Sequence, residues 1–209
     1  MKRLIKKASQ VFIHATSLDR LESILNQGLV VGQENGQFTA DSIMNNNGIY
    51  VSDVSIKEDR LSSLEDFGSV LLEFSIDTNN MIPDPEYFNL SGPHPLSIRD
   101  VTEILEFVVN SNVYQQNYLS NWNLDDYDND LEELIDNEYS KISSELLEDI
   151  ELLKLIPPGM FNSISDYVYL GNISPSNITK VYIEDSNHEI HELDPTNQDE
   201  ILELINQNI

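Results

Sequence analysis

A histidine and a tyrosine stand in two short stretches whose composition and spacing could bring them to one site. His14 lies in residues 13–16 and Tyr50 lies in residues 48–52. An imidazole can donate or accept a hydrogen bond, and a phenol offers a hydroxyl on an aromatic ring. If the two stretches are neighbouring strands, both side chains could face a common cleft. The sequence therefore predicts a cleft shared by the two side chains if the strands are neighbours.

The segment between the two residues explains how they could come together. Residues 11–13 and 49–51 are β-branched and aromatic runs, which are typical of strands. Ser17 suits the N-cap of a helix over residues 18–27, whose apolar side chains recur at helical spacing. Gly28 follows the last of these and suits a left-handed C-cap. The pattern predicts strand, helix, glycine stop, loop and strand, so the two strands can be neighbours.

The same residues resemble motifs of the ADP-ribosyltransferase superfamily. Members with a His-Tyr-acid triad, the poly(ADP-ribose) polymerase-like and diphtheria-toxin-like clade, open with a His, a small residue and Ser or Thr, as in residues 14–16 here. A helix ending in Ile-Leu, two residues and Gly-Leu follows, as in residues 24–29, and then Gly-Ile-Tyr, as in residues 48–50. The likeness covers roughly residues 10–85 and 160–185.

This resemblance implies a role for each residue in binding and cleaving NAD. His14 would hydrogen-bond the hydroxyls of the adenosine-side ribose, and the backbone of Ala15 would hold the carboxamide of nicotinamide. Thr16 would support the loop, Tyr50 would offer its aromatic face to the pocket, and Ser52 would place a hydroxyl nearby. NAD would be consumed as a substrate, so the cofactor-binding site and the catalytic site would be the same.

The third member of the triad is an acid before a hydrophobic strand, and Asp166 is the residue that matches it best. The resemblance makes Asp166 catalytic together with Tyr50 and His14, as the group that stabilises positive charge on the nicotinamide ribose. The superfamily usually has Glu at this position, and the shorter side chain matters because a displacement of ~1 Å can cost ~100-fold in rate. Glu73 and Glu106 are alternative acids.

The expected function is NAD-dependent mono-ADP-ribosyl transfer to a protein or another macromolecular acceptor, with release of nicotinamide. Two alternatives stay open. The first is a catalytically decayed transferase scaffold that serves as an acidic binding or decoy protein. The second is an RNA 2′-phosphotransferase-like enzyme, which shares the fold but holds a phosphate with several arginines, whereas the sequence has only Arg3, Arg20, Arg60 and Arg99.

The net charge of the chain limits the classes of molecule that it is expected to bind. Its 209 residues include 11 basic and 37 acidic side chains, a formal net charge of −26. Binding to a phosphate backbone needs clustered Lys and Arg, so direct nucleic-acid binding is not expected, whereas a basic protein partner is possible. Apolar runs fall short of the ~20 residues that span a bilayer. The expected location is the cytoplasm, without a membrane partner.

No metal site is expected from the residue types. The chain has no cysteine, which removes thiolate ligands and disulfides. His188 and His191 flank Glu189-Ile190, but on a strand they would point to opposite faces.

The element pattern predicts an α+β fold with a split mixed β-sheet, flanking helices and an acidic helical insertion. A single domain is expected over residues 1–209, with the insertion at about 97–157. Strands fall near residues 10–15, 48–52, 69–76, 166–170, 178–184 and 188–193, and helices near 18–27, 55–66, 97–118, 128–155 and 197–207.

Overall fold

The computed structural model describes residues 10–31, 48–88, 98–118, 141–146 and 148–208. These residues form two compact units. The first unit contains the described residues up to 80 and those from 165 onward, and the second contains the described residues from 81 to 164. All the residues expected to bind NAD belong to the first unit.

The first unit is built on a sheet whose strands lie in the order β5-β2-β1-β3-β6-β7. Its strands are β1 (Gln10–Ser17), β2 (Ile49–Asp53), β3 (Ser69–Ile76), β5 (Asp166–Tyr169), β6 (Ile178–Glu184) and β7 (Ile190–Leu193). Within this described part of the chain, each pair of neighbouring strands is antiparallel. The α+β class is confirmed, but this sheet is not mixed in strand direction, because hairpins and long connections reverse the chain between neighbours.

The sheet is split between β1 and β2. Strand β1 pairs with β3 along its whole length, from Gln10 to Ser17. With β2 it makes just two pairs among the described residues, Phe12 with Asp53 and Ile13 with Ser52. The two strands therefore separate immediately before His14, and this separation opens the edge of β1 toward β2.

A short helical segment covers one face of the sheet in the first unit. It consists of a 3-10 turn at Val54–Ile56, helix α2 at Lys57–Ser62 and a second 3-10 turn at Leu64–Phe67. Side chains of this segment and of the sheet pack together in one apolar cluster. This cluster contains Ile13, Leu64, Leu71 and Tyr182, with Ala15, Val54, Ile56 and Leu61 packed around it.

Helix α1 (Leu18–Gln27) ends at the predicted residue, Gly28. Gly28 has a φ of 83° and a ψ of −175°, so the chain leaves the helix through positive φ and then extends. Its N–H donates to the Ile24 carbonyl at 2.7 Å. The next residue, Leu29, forms an antiparallel bridge with Ile173 through two hydrogen bonds of 2.9 Å. The glycine is required because a Cβ here would lie 2.1 Å from the Ile173 carbonyl oxygen.

Gly28→Ala should lower the free energy of unfolding by more than ~1 kcal/mol, because the substitution adds a clash to an unfavourable φ. Urea denaturation followed by circular dichroism measures this loss. Gly171→Ala is the matched control, since its Cβ would meet only the Tyr169 ring, at 3.4 Å. Equal stability of the two variants would contradict the conformational argument.

The second unit contains strand β4 (Met81–Pro83), a 3-10 turn (Pro85–Phe88), and three helices: α3 (Ile98–Val109), α4 (Asn112–Asn117) and α5 (Ile150–Leu153). Residues 141–146 are also helical. Two tyrosines, Tyr114 and Tyr118, stack at 5.0 Å and donate their hydroxyls to Glu145 and Asp149. The hydrogen bond to Asp149 raises the pKa of Tyr118 to about 12.

Most predicted elements of the described chain are confirmed, and three predicted helices are interrupted. The helix expected over residues 55–66 consists of α2 between two 3-10 turns. The helix expected over residues 97–118 breaks into α3 and α4 because Ser111 caps a new helix by accepting from the Tyr114 N–H at 3.1 Å. The acidic helix expected over 128–155 lies partly outside the described residues. Its described end is divided by Asp149, which caps α5. The last helix, α6 (Gln198–Asn208), matches its prediction.

In the part of the chain that the structure describes, no helix combines the length and the apolar composition that a membrane crossing requires.

Candidate functional site

One side chain makes a hydrogen bond across the split between β1 and β2. His14 Nδ1 lies 2.7 Å from the carbonyl oxygen of Tyr50. A carbonyl can only accept, so Nδ1 carries the proton and Nε2 of a neutral ring is an acceptor. His14 is 8% exposed, so packing holds the ring in this position. The imidazole therefore presents a fixed tautomer.

The backbone of Ala15 points toward the same split. The Asp53 N–H donates to Ser165 on the β5 side at 2.7 Å, so the backbone groups of Asp53 face away from β1. Because these directions alternate along a strand, the groups of Ser52 and Tyr50 face β1. Ser52 is paired with Ile13, so the N–H and carbonyl of Ile13 face β2. Ala15 is two residues later on the same strand, so its N–H and carbonyl also face β2. A continued ladder would pair Ala15 with Tyr50, but the ladder ends at Ile13.

The remaining residue of this motif, Thr16, is also buried, at 6% exposure. It lies opposite Val70 in the ladder between β1 and β3. Thr16 shares a face of β1 with His14 because side chains two residues apart point the same way. This location is compatible with a role in holding the strand that carries His14 and Ala15.

Asp166 is held by hydrogen-bond donors on three sides. The hydroxyl of Ser52, which lies opposite Asp166 in the ladder, donates to Oδ1. Arg60 Nη2 donates to the same oxygen at 3.1 Å, and the Ser165 hydroxyl donates to Oδ2 at 3.1 Å. The side chains of Arg60 and Asp166 are 28% and 27% exposed, so this ion pair is accessible to solvent. The carboxylate is thus fixed in position at the surface of the sheet.

Arg60 also contacts an aromatic ring. Its guanidinium carbon lies 4.6 Å from the centroid of the Phe67 ring, on the second 3-10 turn of the covering segment. This contact and the ion pair with Asp166 both restrain the guanidinium at the end of a long side chain. Helix α2 therefore supplies a positioned cation beside the candidate acid.

A second carboxylate, Glu73, belongs to a separate cluster. It lies opposite Ile13 on β3, accepts from the Tyr182 hydroxyl at 3.2 Å, and is 3.7 Å from Lys57 Nζ. Burial raises the pKa of Tyr182, and the hydrogen bond to Tyr182 raises the pKa of Lys57. Three strand spacings separate the strands of Glu73 and Asp166, about 14 Å at ~4.8 Å each. This separation favours Asp166 as the acid beside Ser52.

The strand registers bring together some predicted site residues. Ser52 and Asp166 are directly opposite, and Tyr50 shares their face of the sheet because it is two residues from Ser52. Strand alternation starts the His14 side chain on the face of the sheet opposite to that of Tyr50, which differs from the expected common orientation. The His14 ring meets β2 at the Tyr50 carbonyl. The alternative acid Glu106 belongs to α3 of the second unit. That one ligand contacts all these residues stays a prediction.

Sequence reasoning missed the contribution of Arg60 and Ser165. The contacts that join Arg60 to Asp166 span 106 positions of the chain, so no local pattern marks them. One signal is present in the sequence: Lys57 and Arg60 are three residues apart in a predicted helix of a chain with few basic residues. That spacing places both cations on one side of α2, where one contacts Glu73 and the other contacts Asp166.

The two histidines near the end of the chain are placed differently from the prediction. Strand β7 begins at Ile190, so His188 lies in the turn before it, with a φ of 62°. His188 Nδ1 is 2.8 Å from Glu184, whereas His191 Nε2 is 3.0 Å from Asp185. The strand argument against a metal site therefore does not apply to His188.

Comparisons with known proteins add little to this geometry. No protein-family model matches the sequence, and no curated protein matches it. Among solved structures, one described as EcPltA aligns with 90% of this chain and 84% of its own chain, at 11% sequence identity and a TM-score of 0.36. A TM-score this low supports no conclusion about fold or activity, so the function has to be inferred from the site itself.

Proposed function

We propose that the chain binds NAD at the split between β1 and β2 and transfers ADP-ribose from it to a protein acceptor. The observation that carries the proposal is the end of the β1–β2 ladder at Ile13, which leaves the backbone of Ala15 facing β2 outside the ladder. The N–H of Ala15 can donate to the oxygen of a primary carboxamide, and the Ala15 carbonyl can accept from its N–H. A neighbouring strand would form the same two hydrogen bonds. Nicotinamide carries such a carboxamide.

The fixed tautomer of His14 supports the second contact. With its proton on Nδ1, the imidazole can accept a hydroxyl proton at Nε2. A ribose of NAD supplies hydroxyl donors. Tyr50 lies two residues before Ser52, about 6.6 Å along the strand, so its ring could contact the nicotinamide while Ser52 and Asp166 lie beside the ribose. The proposed ligand therefore runs from the split toward Asp166.

The chemistry is a substitution at the ribose carbon bonded to nicotinamide. The bond between this carbon and the pyridinium nitrogen breaks, and its electron pair leaves with neutral nicotinamide. Positive charge develops on the ribose, and the carboxylate of Asp166 would stabilise it. A nucleophilic oxygen or nitrogen of the acceptor then bonds to the carbon and loses its proton to water.

The test is incubation of the purified chain with a cell lysate and NAD labelled in its adenylate part. We expect label on protein and one nicotinamide released for each label transferred, and Asp166→Ala should abolish both. Label that appears only as free ADP-ribose would indicate hydrolysis of NAD. NAD that stays intact under all conditions would contradict the proposed activity.

Binding is measured separately from turnover. Nicotinamide alone should raise the melting temperature of the chain, because the carboxamide contact needs no other part of NAD. A ligand at 100 times its dissociation constant adds about 2.7 kcal/mol of stability. Nicotinic acid, which has a carboxylate instead of the carboxamide, is the matched control and should have no effect. Equal shifts with both compounds would contradict binding through Ala15.

The alternatives gain less support. A phosphotransferase would need cations directed at a phosphate, whereas Arg60 contacts Asp166. A decoy function draws on the net charge of −26 and on the shorter acid, Asp166, and the acidic helix that it would display lies partly outside the described residues. The decoy would bind neither NAD nor nicotinamide, so the melting experiment distinguishes it from the transferase.

A further inference from the structure

The hairpin between β6 and β7 contains a buried carboxylate oxygen that its protein surroundings do not explain. Glu184, at the end of β6, has a side chain that is 10% exposed. Its Oε1 contacts His188 Nδ1 at 2.8 Å, but its Oε2 is fully buried and accepts no hydrogen bond within the described structure. Burying a carboxylate oxygen without a partner is costly, and such an atom often marks a bound water or ion.

Two other ligand-type groups converge on Glu184. His188 Nδ1 lies 3.6 Å from Glu65 Oε2, and the three residues offer ligand atoms that all lie within 4.8 Å of one another. Metal bonds of ~2.1 Å to nitrogen and oxygen place two tetrahedral ligands ~3.4 Å apart. The distances of 2.8 Å and 3.6 Å from His188 Nδ1 lie on either side of this value. The distance between the oxygens of Glu65 and Glu184 is under 4.8 Å, so small side-chain rotations would bring all three ligands around one cation.

The fold brings these groups together from distant parts of the first unit. Glu184 is two residues after Tyr182, so both side chains point to the face that residues 54–67 cover. Glu65 follows Leu64, which packs on Tyr182 in the same apolar cluster. His188 turns back over Glu184 because the turn is fixed by a bond of 2.9 Å from the His188 N–H to the Asp185 carbonyl.

We propose that Glu65, Glu184 and His188 bind a first-row transition-metal dication such as Zn²⁺. One imidazole nitrogen with two carboxylates suits these metals, whereas Ca²⁺ and Mg²⁺ prefer oxygen ligands alone. The side chains of Glu65 and His188 are 64% and 71% exposed, so the cation has an entry path and can hold a water as its fourth ligand. The metal would fasten the β6–β7 hairpin to the segment that carries Arg60.

The two carboxylates also favour a proton on the His188 ring, which a bound cation would have to displace. The hydrogen bond to Glu184 and the charge of Glu65 raise the pKa of His188. Both carboxylates therefore act on the atom that would bind the cation. The proposal does not depend on the NAD site, since none of its three ligands belongs to that site.

A neighbouring cluster provides an internal control. Asp185, Glu189 and His191 also place ligand-type atoms within 4.8 Å. However, Asp185 already accepts from the N–H groups of Asn187 and Glu189 and contacts His191. Its carboxylate is used by the turn, so this second cluster lacks the buried oxygen without a partner that distinguishes Glu184.

The experiment titrates the full-length, chelator-treated chain with Zn²⁺ by calorimetry, at physiological ionic strength and in excess Mg²⁺ to suppress binding to scattered carboxylates. We expect one site, and a higher melting temperature with Zn²⁺. Glu184→Gln and His188→Gln should each lower the affinity for Zn²⁺ at least ~10-fold. Even loss of a residue that only hydrogen-bonds to a metal ligand typically lowers metal affinity ~10–100-fold. His191→Gln should bind Zn²⁺ as the wild type does.

Three results would overturn the proposal. They are a wild type that binds no Zn²⁺ in excess Mg²⁺, a His188→Gln variant that binds as well as the wild type, and an equal loss in His191→Gln. Circular dichroism of each variant without metal checks that it is folded. If Glu184→Gln does not fold, Glu65→Gln replaces it, because Glu65 is exposed and should be tolerated.

Discussion

Asp166→Asn should lower the rate of nicotinamide release by about 100-fold or more while NAD binding survives. Asparagine keeps the size of the side chain and an oxygen that can accept from Ser52, but it removes the negative charge. Loss of one preorganised electrostatic contact to a transition state typically costs ~10²–10³ in rate. The measurement is single-turnover release of nicotinamide, with NAD affinity from calorimetry. The ratio of the two effects separates charge stabilisation from simple binding.

The control for this experiment is a carboxylate in an ion pair away from the site. Glu192→Gln removes such a charge, because Glu192 contacts Lys180 at 2.6 Å and both side chains are exposed. It should leave the release rate unchanged. The Asp166→Asn protein should stay folded, because the Arg60 it leaves behind is 28% exposed and surface ion pairs contribute only ~0–1 kcal/mol. An unchanged rate in Asp166→Asn would mean that the chemistry, if any, lies elsewhere in the chain.

The effect of the shorter side chain of Asp166 on the rate can be tested in the same assay. Asp166→Glu extends the carboxylate by one methylene, about 1.5 Å, toward the position that the superfamily acid usually occupies. We expect faster nicotinamide release than in the wild type if distance limits the rate. Contacts from Ser52, Ser165 and Arg60 fix the shorter side chain, so the longer one has to leave them. A slower Asp166→Glu enzyme would mean that these contacts, and not the reach of the carboxylate, set the rate.

Local patterns in the sequence predict most of the elements, because the forces that form them act over a few residues. Helix α1 is predicted from its apolar spacing, and it ends at Gly28, where no other residue fits against the Ile173 carbonyl. The strands β1, β2 and β3 follow from β-branched and aromatic runs. Strand β4, three residues long, is too short to show alternation, so the sequence does not predict it.

The arrangement of the site depends on contacts that local patterns do not encode. The ladder between β1 and β2 ends at Ile13, and the His14 ring contacts the Tyr50 carbonyl beyond it. The strand pattern of either stretch alone predicts continued pairing. The ion pair of Arg60 with Asp166 likewise joins residues 106 positions apart. The resemblance points to His14, Tyr50 and Asp166, but neither it nor the local pattern indicates what holds them.

Substitutions of His14 should separate its two contacts. In His14→Asn, the amide nitrogen can take the place of Nδ1 and donate to the Tyr50 carbonyl, but no atom replaces Nε2. We therefore expect the melting temperature to stay near the wild-type value while NAD binds at least ~10-fold more weakly, which corresponds to ~1.4 kcal/mol. Nicotinamide alone should bind equally to the wild type and to the His14→Asn variant, because its contact is with Ala15.

His14→Ala removes both contacts and provides the comparison. The substitution removes the N–H group that donates to the Tyr50 carbonyl, a net loss of about 1 kcal/mol of stability. It also leaves an unfilled space at a position that is 8% exposed. We expect a lower melting temperature and weaker binding of both NAD and nicotinamide, because the gap beside Ala15 loses the ring that shapes it. If His14→Asn binds NAD as tightly as the wild type, the imidazole makes no contact with the ligand. His14 would then act only in linking β1 to β2 through the Tyr50 carbonyl, and the ribose contact would have to come from another residue.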